Sequence, residues 1–334
     1  MQSLAQARGM SPPATVRPVE FHRQRRAAML AQRPELKQLF GYCPAVAPVT
    51  VLLVATQFSL AALLAQAPWW GGLAAAFFVG AFISHCLNVV IHESTHNLVL
   101  RTTAQNKAVM IIANLPGVLP GALAFRHYHL MHHQFLGEPR GDPDVGLPWE
   151  ARLVGASTIR KFLWLLVLPL VYGLVHPAQA RKHLPFDRWL AANVVGTCCC
   201  ALAVLLLLGW PSLLYLAFSV YFAVGLHPTG AHALQEHIHF AGHSYATASY
   251  YGPINALSLN HGYHLEHHDF SGIPGPRLPK LRRLAPEFYD GRFAHPSRLA
   301  TLWQFVFDRR VTLASRSIVE PRSPRLRTER RAAA

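Results

Sequence analysis

The placement of basic residues limits this chain more than any other feature. Of 31 Lys and Arg residues, none falls between positions 38 and 100 and none between 189 and 276. Each empty window holds two long apolar runs. The first holds "VAPVTVLLVATQFSLAALLAQ" (46–66) and "WWGGLAAAFFVGAFISHCLNVVI" (69–91). The second holds "WLAANVVGTCCCALAVLLLLGW" (189–210) and "PSLLYLAFSVYFAVGL" (211–226). A bilayer span takes about 20 apolar residues, with a range of about 17–25. Each window therefore reads as a helical hairpin, the last run being slightly short. The charged fraction of 14% is well below the soluble norm of about 25% and fits the same reading.

The net charge of +15 would suggest nucleic acid if it stood alone. The hairpin tips, "AQAPWWGG" and "GWP", carry no positive charge, so the basic blocks 1–37, 101–188 and 277–334 fall on one face. The positive-inside rule makes that face cytoplasmic, with both termini on it and anionic lipid headgroups as the partner of the charge. No nucleic-acid binding is expected. Two further runs, "VMIIANLPGVLPGALAF" (109–125) and "FLWLLVLPLVYGLVH" (162–176), are interrupted by Pro116, Pro120 and Pro169, and are expected to lie in the interface. The first 40 residues lack an apolar core, so no cleavable signal is expected. Cys198, Cys199 and Cys200 fall inside a span and read as packing residues. No CxxC pair suggests a thiolate metal site.

Histidines recur in three groups: His92 and His96 in "HESTHN", His129, His132 and His133 in "HYHLMHH", and His264, His267 and His268 in "GYHLEHHDF". Residues three and four apart share a helix face, so each group presents two or three imidazoles to one point. All three groups follow apolar segments on the same face. Joint metal ligation explains eight such residues better than solvent exposure does. Eight imidazoles exceed what one zinc takes and suit two ions with open positions, although imidazole binds iron, copper, nickel and zinc alike. Two adjacent redox ions would suit dioxygen activation, which makes iron the inference. His22, His183 and His295 read as ordinary surface histidines. Glu93, Glu236, Glu266, Asp269, Asp142 and Asp144 lie beside these groups and are candidates for orienting imidazole N–H.

The order HxxxH, HxxHH, HxxHH resembles the membrane fatty-acyl desaturase and hydroxylase superfamily. "EFHRQRRAAMLAQRPELKQLFG", "GLHPTGAHALQEHIHF" and "ASYYGPINALSLNHGYHLEHHDFSGIPGPRLPKLRRLAPEFYD" resemble its sphingolipid delta-4 desaturases more closely. The resemblance runs from about residue 20 to 308. It implies two iron ions, dioxygen as cosubstrate, and removal of two vicinal hydrogens from a long sphingoid or acyl chain. It carries the ligand role to His92, His96, His129, His132, His133, His264, His267 and His268. "HALQEHIHF" offers His232, His237 and His239 as a ninth ligand, and His237 is chosen because the family has a Glu-His pair at Glu236-His237. Asn260 is a candidate holder of a metal-bound water.

The expected architecture is an all-α membrane protein with four transmembrane helices in two hairpins, a cytoplasmic histidine-rich cap and one or two interfacial helices. Residues 1–45 form a cytoplasmic N-terminal segment, 46–308 the desaturase domain and 309–334 a basic, disordered tail. The membrane would be the inner membrane of a bacterium or the endoplasmic reticulum of a eukaryote. No flavin or nicotinamide fingerprint is visible. "HPTG" (227–230) has no room for a haem domain. Electrons must therefore come from a separate b-type cytochrome or ferredoxin, for which "RKHLPFDR" and the C-terminal basic block are possible docking surfaces. Trp69, Trp70, Phe77, Phe78 and Tyr221 are candidates for a substrate tunnel, with lipid contact as the competing role. A hydroxylase on the same scaffold, a desaturase of free or carrier-bound fatty acid and, more distantly, a metal transporter are the alternatives.

Overall fold

The computed structural model describes residues 16–139, 141–175, 184–240 and 246–316. Almost all of its regular structure is helical. Three helices are long and apolar enough to cross a membrane: α2 (Val46–Leu63), α3 (Trp69–Thr95) and α8 (Arg188–Leu208). A shorter apolar helix, α9 (Trp210–Val224), follows α8 after one glycine. Gly209 sits at φ +84, a conformation that suits glycine, and Pro211 then restarts the helix at its first turn.

Many of the apolar side chains of these helices point outward. Leu63, Phe78 and Leu207 are each more than 70% exposed, as lipid-facing residues would be. Polar residues turn inward and join the helices. Tyr215 Oη donates to Gln57 Oε1 at 2.6 Å, and Gln57 Nε2 donates to Ser84 Oγ at 2.8 Å and to the Gly80 carbonyl at 3.1 Å. Gly80 ends a π-helical turn, Ala76–Gly80, inside α3. Such a turn frees a carbonyl, and here Gln57 satisfies it, as apolar surroundings demand. A Cβ on Gly80 would fall inside the Ser219 side chain, so glycine sets how closely α3 and α9 approach.

The proline-broken run forms α4 (Thr103–Asn114), a 3-10 turn and α5 (Ala122–Phe135), bent by 119°. Asn114 holds the bend: its Oδ1 accepts from the Gly121 and Ala122 N–H groups at 3.0 and 3.1 Å, and from Asn193 Nδ2 of α8 at 2.9 Å. The second broken run begins as α7 (Thr158–Leu170), capped by Ser157, and continues as a π-helical turn at Val171–Val175.

The cap is built from α1 (Pro18–Gln32), α6 (Pro148–Val154), α10 (His232–His237), α11 (His264–Asp269), α12 (Leu278–Leu284), α13 (Pro286–Tyr289) and α14 (Arg298–Phe307). Two two-residue strands, β1 (Ser249–Tyr250) and β2 (Ala294–His295), pair in parallel between them. Met29, Leu36, Leu265, Phe270, Phe288 and neighbours form an apolar core that joins α1 to α11–α13.

His22 and His295, expected at the surface, are buried. The reason is the same for both: each has a partner remote in sequence or ringed by aromatics. His22 Nδ1 lies 2.8 Å from Asp269 Oδ1, and His295 Nδ1 lies 3.0 Å from Thr301 Oγ1 between the Phe240 and Phe293 rings. His183 lies outside the described residues. Trp69, Trp70 and Phe78 are largely exposed, whereas Phe77 packs edge-on to Phe222 and His227.

Candidate metal centre

His92 and His96 stand at the end of α3, His129, His132 and His133 on α5, and His264, His267 and His268 on α11. The fold adds His237 from the end of α10. Their ring nitrogens gather into two sets. The first is His92, His96, His129, His133 and His267. Within it Nε2–Nε2 distances are 3.0 Å for His96–His129, 3.0 Å for His129–His133 and 3.1 Å for His133–His267. The second set joins His132, His237 and His268, with His264 Nε2 at 3.1 Å from His237 Nε2 and 3.0 Å from His268 Nε2. The sets abut: the His133 and His268 rings stack at 4.4 Å.

Protons alone satisfy this arrangement poorly. One ring nitrogen carries either a single proton or a single lone pair, yet Nε2 of His129, His133 and His264 each faces two others. His92 Nε2 and His132 Nε2 are buried without a hydrogen-bond partner among the described residues. A cation in each set would engage all of these atoms. Cis nitrogens on an octahedral ion with bonds of about 2.1 Å stand about 3.0 Å apart, and on a tetrahedral ion about 3.4 Å. The observed spacing matches the octahedral case. Burial and the neighbouring imidazoles hold His264, His267 and His268 well below the usual histidine range, which keeps them neutral and able to ligate.

The other ring nitrogen of a ligand needs an orienting acceptor. His132 Nδ1 has Asp142 Oδ1 at 2.8 Å and Asp144 Oδ2 at 3.5 Å, and Asp142 is fully engaged through the Gly137 and Asp144 N–H groups. His237 Nδ1 has the Ala246 carbonyl at 2.9 Å. The remaining candidate carboxylates act elsewhere. Glu266 accepts from Ser249 and Tyr251, each at 2.7 Å, which anchors α11 to β1. Asp269 accepts from Arg25 at 2.9 Å and meets His22. Glu93 Oε2 accepts from the Gly275 N–H at 2.8 Å. Glu236 Oε1 is 3.8 Å from His264 Nδ1 and 2.8 Å from His261 Nε2.

Of the three histidines in "HALQEHIHF", His237 joins a set, His232 joins Glu236 and His261 in a separate group, and His239 belongs to none of the groups among the described residues. Asn260 takes a left-handed conformation at φ +62 and donates to the Gly275 carbonyl at 3.3 Å. "HPTG" is a turn in which Thr229 Oγ1 lies 2.7 Å from His227 Nδ1, enclosed by Phe77 and Phe82. Four site-side residues escaped the sequence reading: His85, His261, Arg298 and the supporting Arg25. Only His85 gave a signal, as a lone ionisable residue within a span.

The family model for fatty acid desaturase matches residues 67–298, and that for sphingolipid Delta4-desaturase matches residues 17–45, the segment holding α1. Sphingolipid delta(4)-desaturase DES1 of Drosophila melanogaster is 38% identical over 291 residues, 86% of this chain and 89% of the relative. The DES1-like protein of Oryza sativa is 36% identical over 89% of each chain. The human protein named sphingolipid delta(4)-desaturase/C4-monooxygenase DES2 is 37% identical, covering 86% of this chain and 88% of its own. Matches of this extent and identity mean that the chain belongs to the fatty acid desaturase family of membrane-bound oxidoreductases and groups with its sphingolipid delta(4)-desaturases.

Proposed function

We propose that this chain desaturates a sphingoid base carried as a dihydroceramide-like lipid, using two iron ions and dioxygen. The observation that carries the reading is the convergence of nine imidazoles, all buried except the half-buried His96 and His133, into two abutting sets. His92, His96, His129, His133 and His267 would hold one ion, and His132, His237, His264 and His268 the other. The bound ions would supply dioxygen activation. In balance, the lipid loses two vicinal hydrogens as a carbon–carbon double bond forms. Dioxygen takes these, with two electrons from a carrier and two protons, and leaves as two waters.

The protein's own task is positioning. An unactivated C–H bond offers nothing to polarise, so orientation and exclusion of water are what the residues contribute. Burial of most of the proposed ligands and the supports Asp142 and Ala246 O serve that need. The chain would use four spans in two hairpins, with the histidines, cap and termini cytoplasmic. Its electrons would come from a separate b-type cytochrome or ferredoxin. Hydroxylation at carbon 4 is a second reading, favoured by the C4-monooxygenase in the names of the human and bovine relatives. The test is lipid mass spectrometry of cells expressing the chain and fed deuterated dihydroceramide or, separately, deuterated fatty acid. Loss of two deuterium atoms from the sphingoid base, absent in His264→Ala, is expected. A gain of oxygen would move the reading to hydroxylase, and change in the fatty acid alone would discard the sphingoid substrate.

A further inference from the structure

A second polar group lies against the metal ligands and takes no part in the two sets. It consists of His85 on α3, His232 and Glu236 on α10, His261 before α11 and Arg298 at the start of α14. The His261 ring is 4.9 Å from His92, a member of the first set, and 6.1 Å from His264, a member of the second. The His85 ring lies 5.0 Å from His232 and 5.9 Å from His261. The group therefore borders both ion positions.

His85 and Arg298 are buried and unsatisfied, whereas His232, Glu236 and His261 are half-buried. His85 and Arg298 are each 1% exposed. Both ring nitrogens of His85 and all three guanidinium nitrogens of Arg298 lack hydrogen-bond partners among the described residues, while Glu236 Oε1 faces His261 Nε2 at 2.8 Å. Arg298 lies over the Tyr250 ring at 5.0 Å and interacts electrostatically with Glu236. Burial lowers its guanidinium to about 10, which leaves it charged at neutral pH. Leaving a buried polar atom unpaired is costly, more so for a charged group, so such a cluster calls for a ligand. A third cation on His232, Glu236 and His261 would sit beside the Arg298 charge. A neutral molecule offering both donors and acceptors meets no such repulsion.

The geometry points to this cluster as the seat of the substrate's polar end, the hydroxyls and amide on carbons 1 to 3 of the sphingoid base. The inference rests on the sphingoid reading above. A double bond between carbons 4 and 5 begins one bond from the carbon that bears the 3-hydroxyl. The polar groups of such a substrate must then lie beside the metal ligands. A fatty-acyl chain desaturated near its middle would instead need an apolar wall there. Glu236 and the imidazoles supply acceptors, and Arg298 supplies donors.

The test is competition in membranes containing the full chain. An equimolar mixture of dihydroceramide and an analogue lacking the hydroxyl on carbon 1, or on carbon 3, is supplied. The product ratio reads relative kcat/KM and cancels expression level and electron supply. A site that hydrogen-bonds a hydroxyl rejects the analogue lacking it. Wild type is expected to prefer dihydroceramide over at least one analogue. Arg298→Gln and His232→Gln are expected to cut that preference about tenfold or more, with Arg298→Lys partly restoring it and two metal equivalents retained throughout. Equal losses on both substrates would make the cluster merely structural. Three metal equivalents in purified wild type, falling to two in His232→Gln, would make it a metal site. Either result overturns the inference while sphingoid desaturation stands. A wild type inactive on every sphingoid lipid would instead overturn the reading beneath it.

Discussion

His132 shows how much of a proposed ligand's fitness lies outside its own ring. Its Nδ1 meets the Asp142 carboxylate at 2.8 Å, and that carboxylate is itself fixed by two backbone N–H groups. Asp142→Asn keeps the shape and removes the charge. It is expected to weaken metal retention about 10–100-fold, as losses of such partners do. Metal content measured against a graded chelator series checks this, and unchanged retention would show that Asp144 suffices. Histidine residues also show where spacing misleads. The three repeated groups announced themselves, but His22 carries no such signal and is buried through Asp269, 247 positions away.

At the scale of elements, the third histidine group depends on a helix far from it in sequence. The six-residue α11 is too short to be stable alone. It is held by Ser249, Tyr251 and the paired charges of Arg25 and Asp269. Arg25→Met would leave the buried Asp269 carboxylate without its guanidinium partner. Loss of one partner of a buried pair costs about 3–5 kcal/mol, and a lower Tm of the solubilised protein is expected. Burial raises the Asp269 carboxyl, but Arg25 and then His22 more than offset it and hold it below its usual 3.8. A lowered carboxyl contributes stability that is present above the unfolded value and lost as pH falls through the folded one. The Tm gap between wild type and Arg25→Met should therefore persist from pH 7 to about 5 and shrink below about 4. A gap independent of pH would assign the effect to packing over Phe21 and Tyr289 instead.

Across the whole molecule, apolar helices carry the histidines to one end. The helix ends at Thr95 and the bent α5 set the height of two histidine groups, and the cap brings the third down onto them. The proposed sidedness makes a direct prediction. In a background with Cys43, Cys86, Cys198, Cys199 and Cys200 replaced, Ala65→Cys at a hairpin tip should react with an impermeant maleimide from outside intact cells or from the lumen of sealed vesicles. Arg283→Cys should react only from the cytoplasmic side. The reverse pattern would invert the topology.

Much of this was legible in the chain itself. A charge-free apolar window of more than 40 residues leaves few folds open, because a backbone without water must pair within its own helix. Helical periodicity then places each HxxHH on one face, whatever surrounds it. The resemblance in residues 225–290 added His237. What the sequence could not fix is which ring nitrogens gather into one set. Nor could it show that Glu266 and Asp269 brace α11 while Asp142 holds the His132 ring, because neighbours along the chain face different partners. The cluster of His85, Glu236, His261 and Arg298 is the clearest case. Its members come from four segments and share no spacing, and only packing brings them together. Local geometry is written in periodicity. Desolvation and long-range pairing, which decide what a buried polar group needs, exist only once the chain has closed on itself.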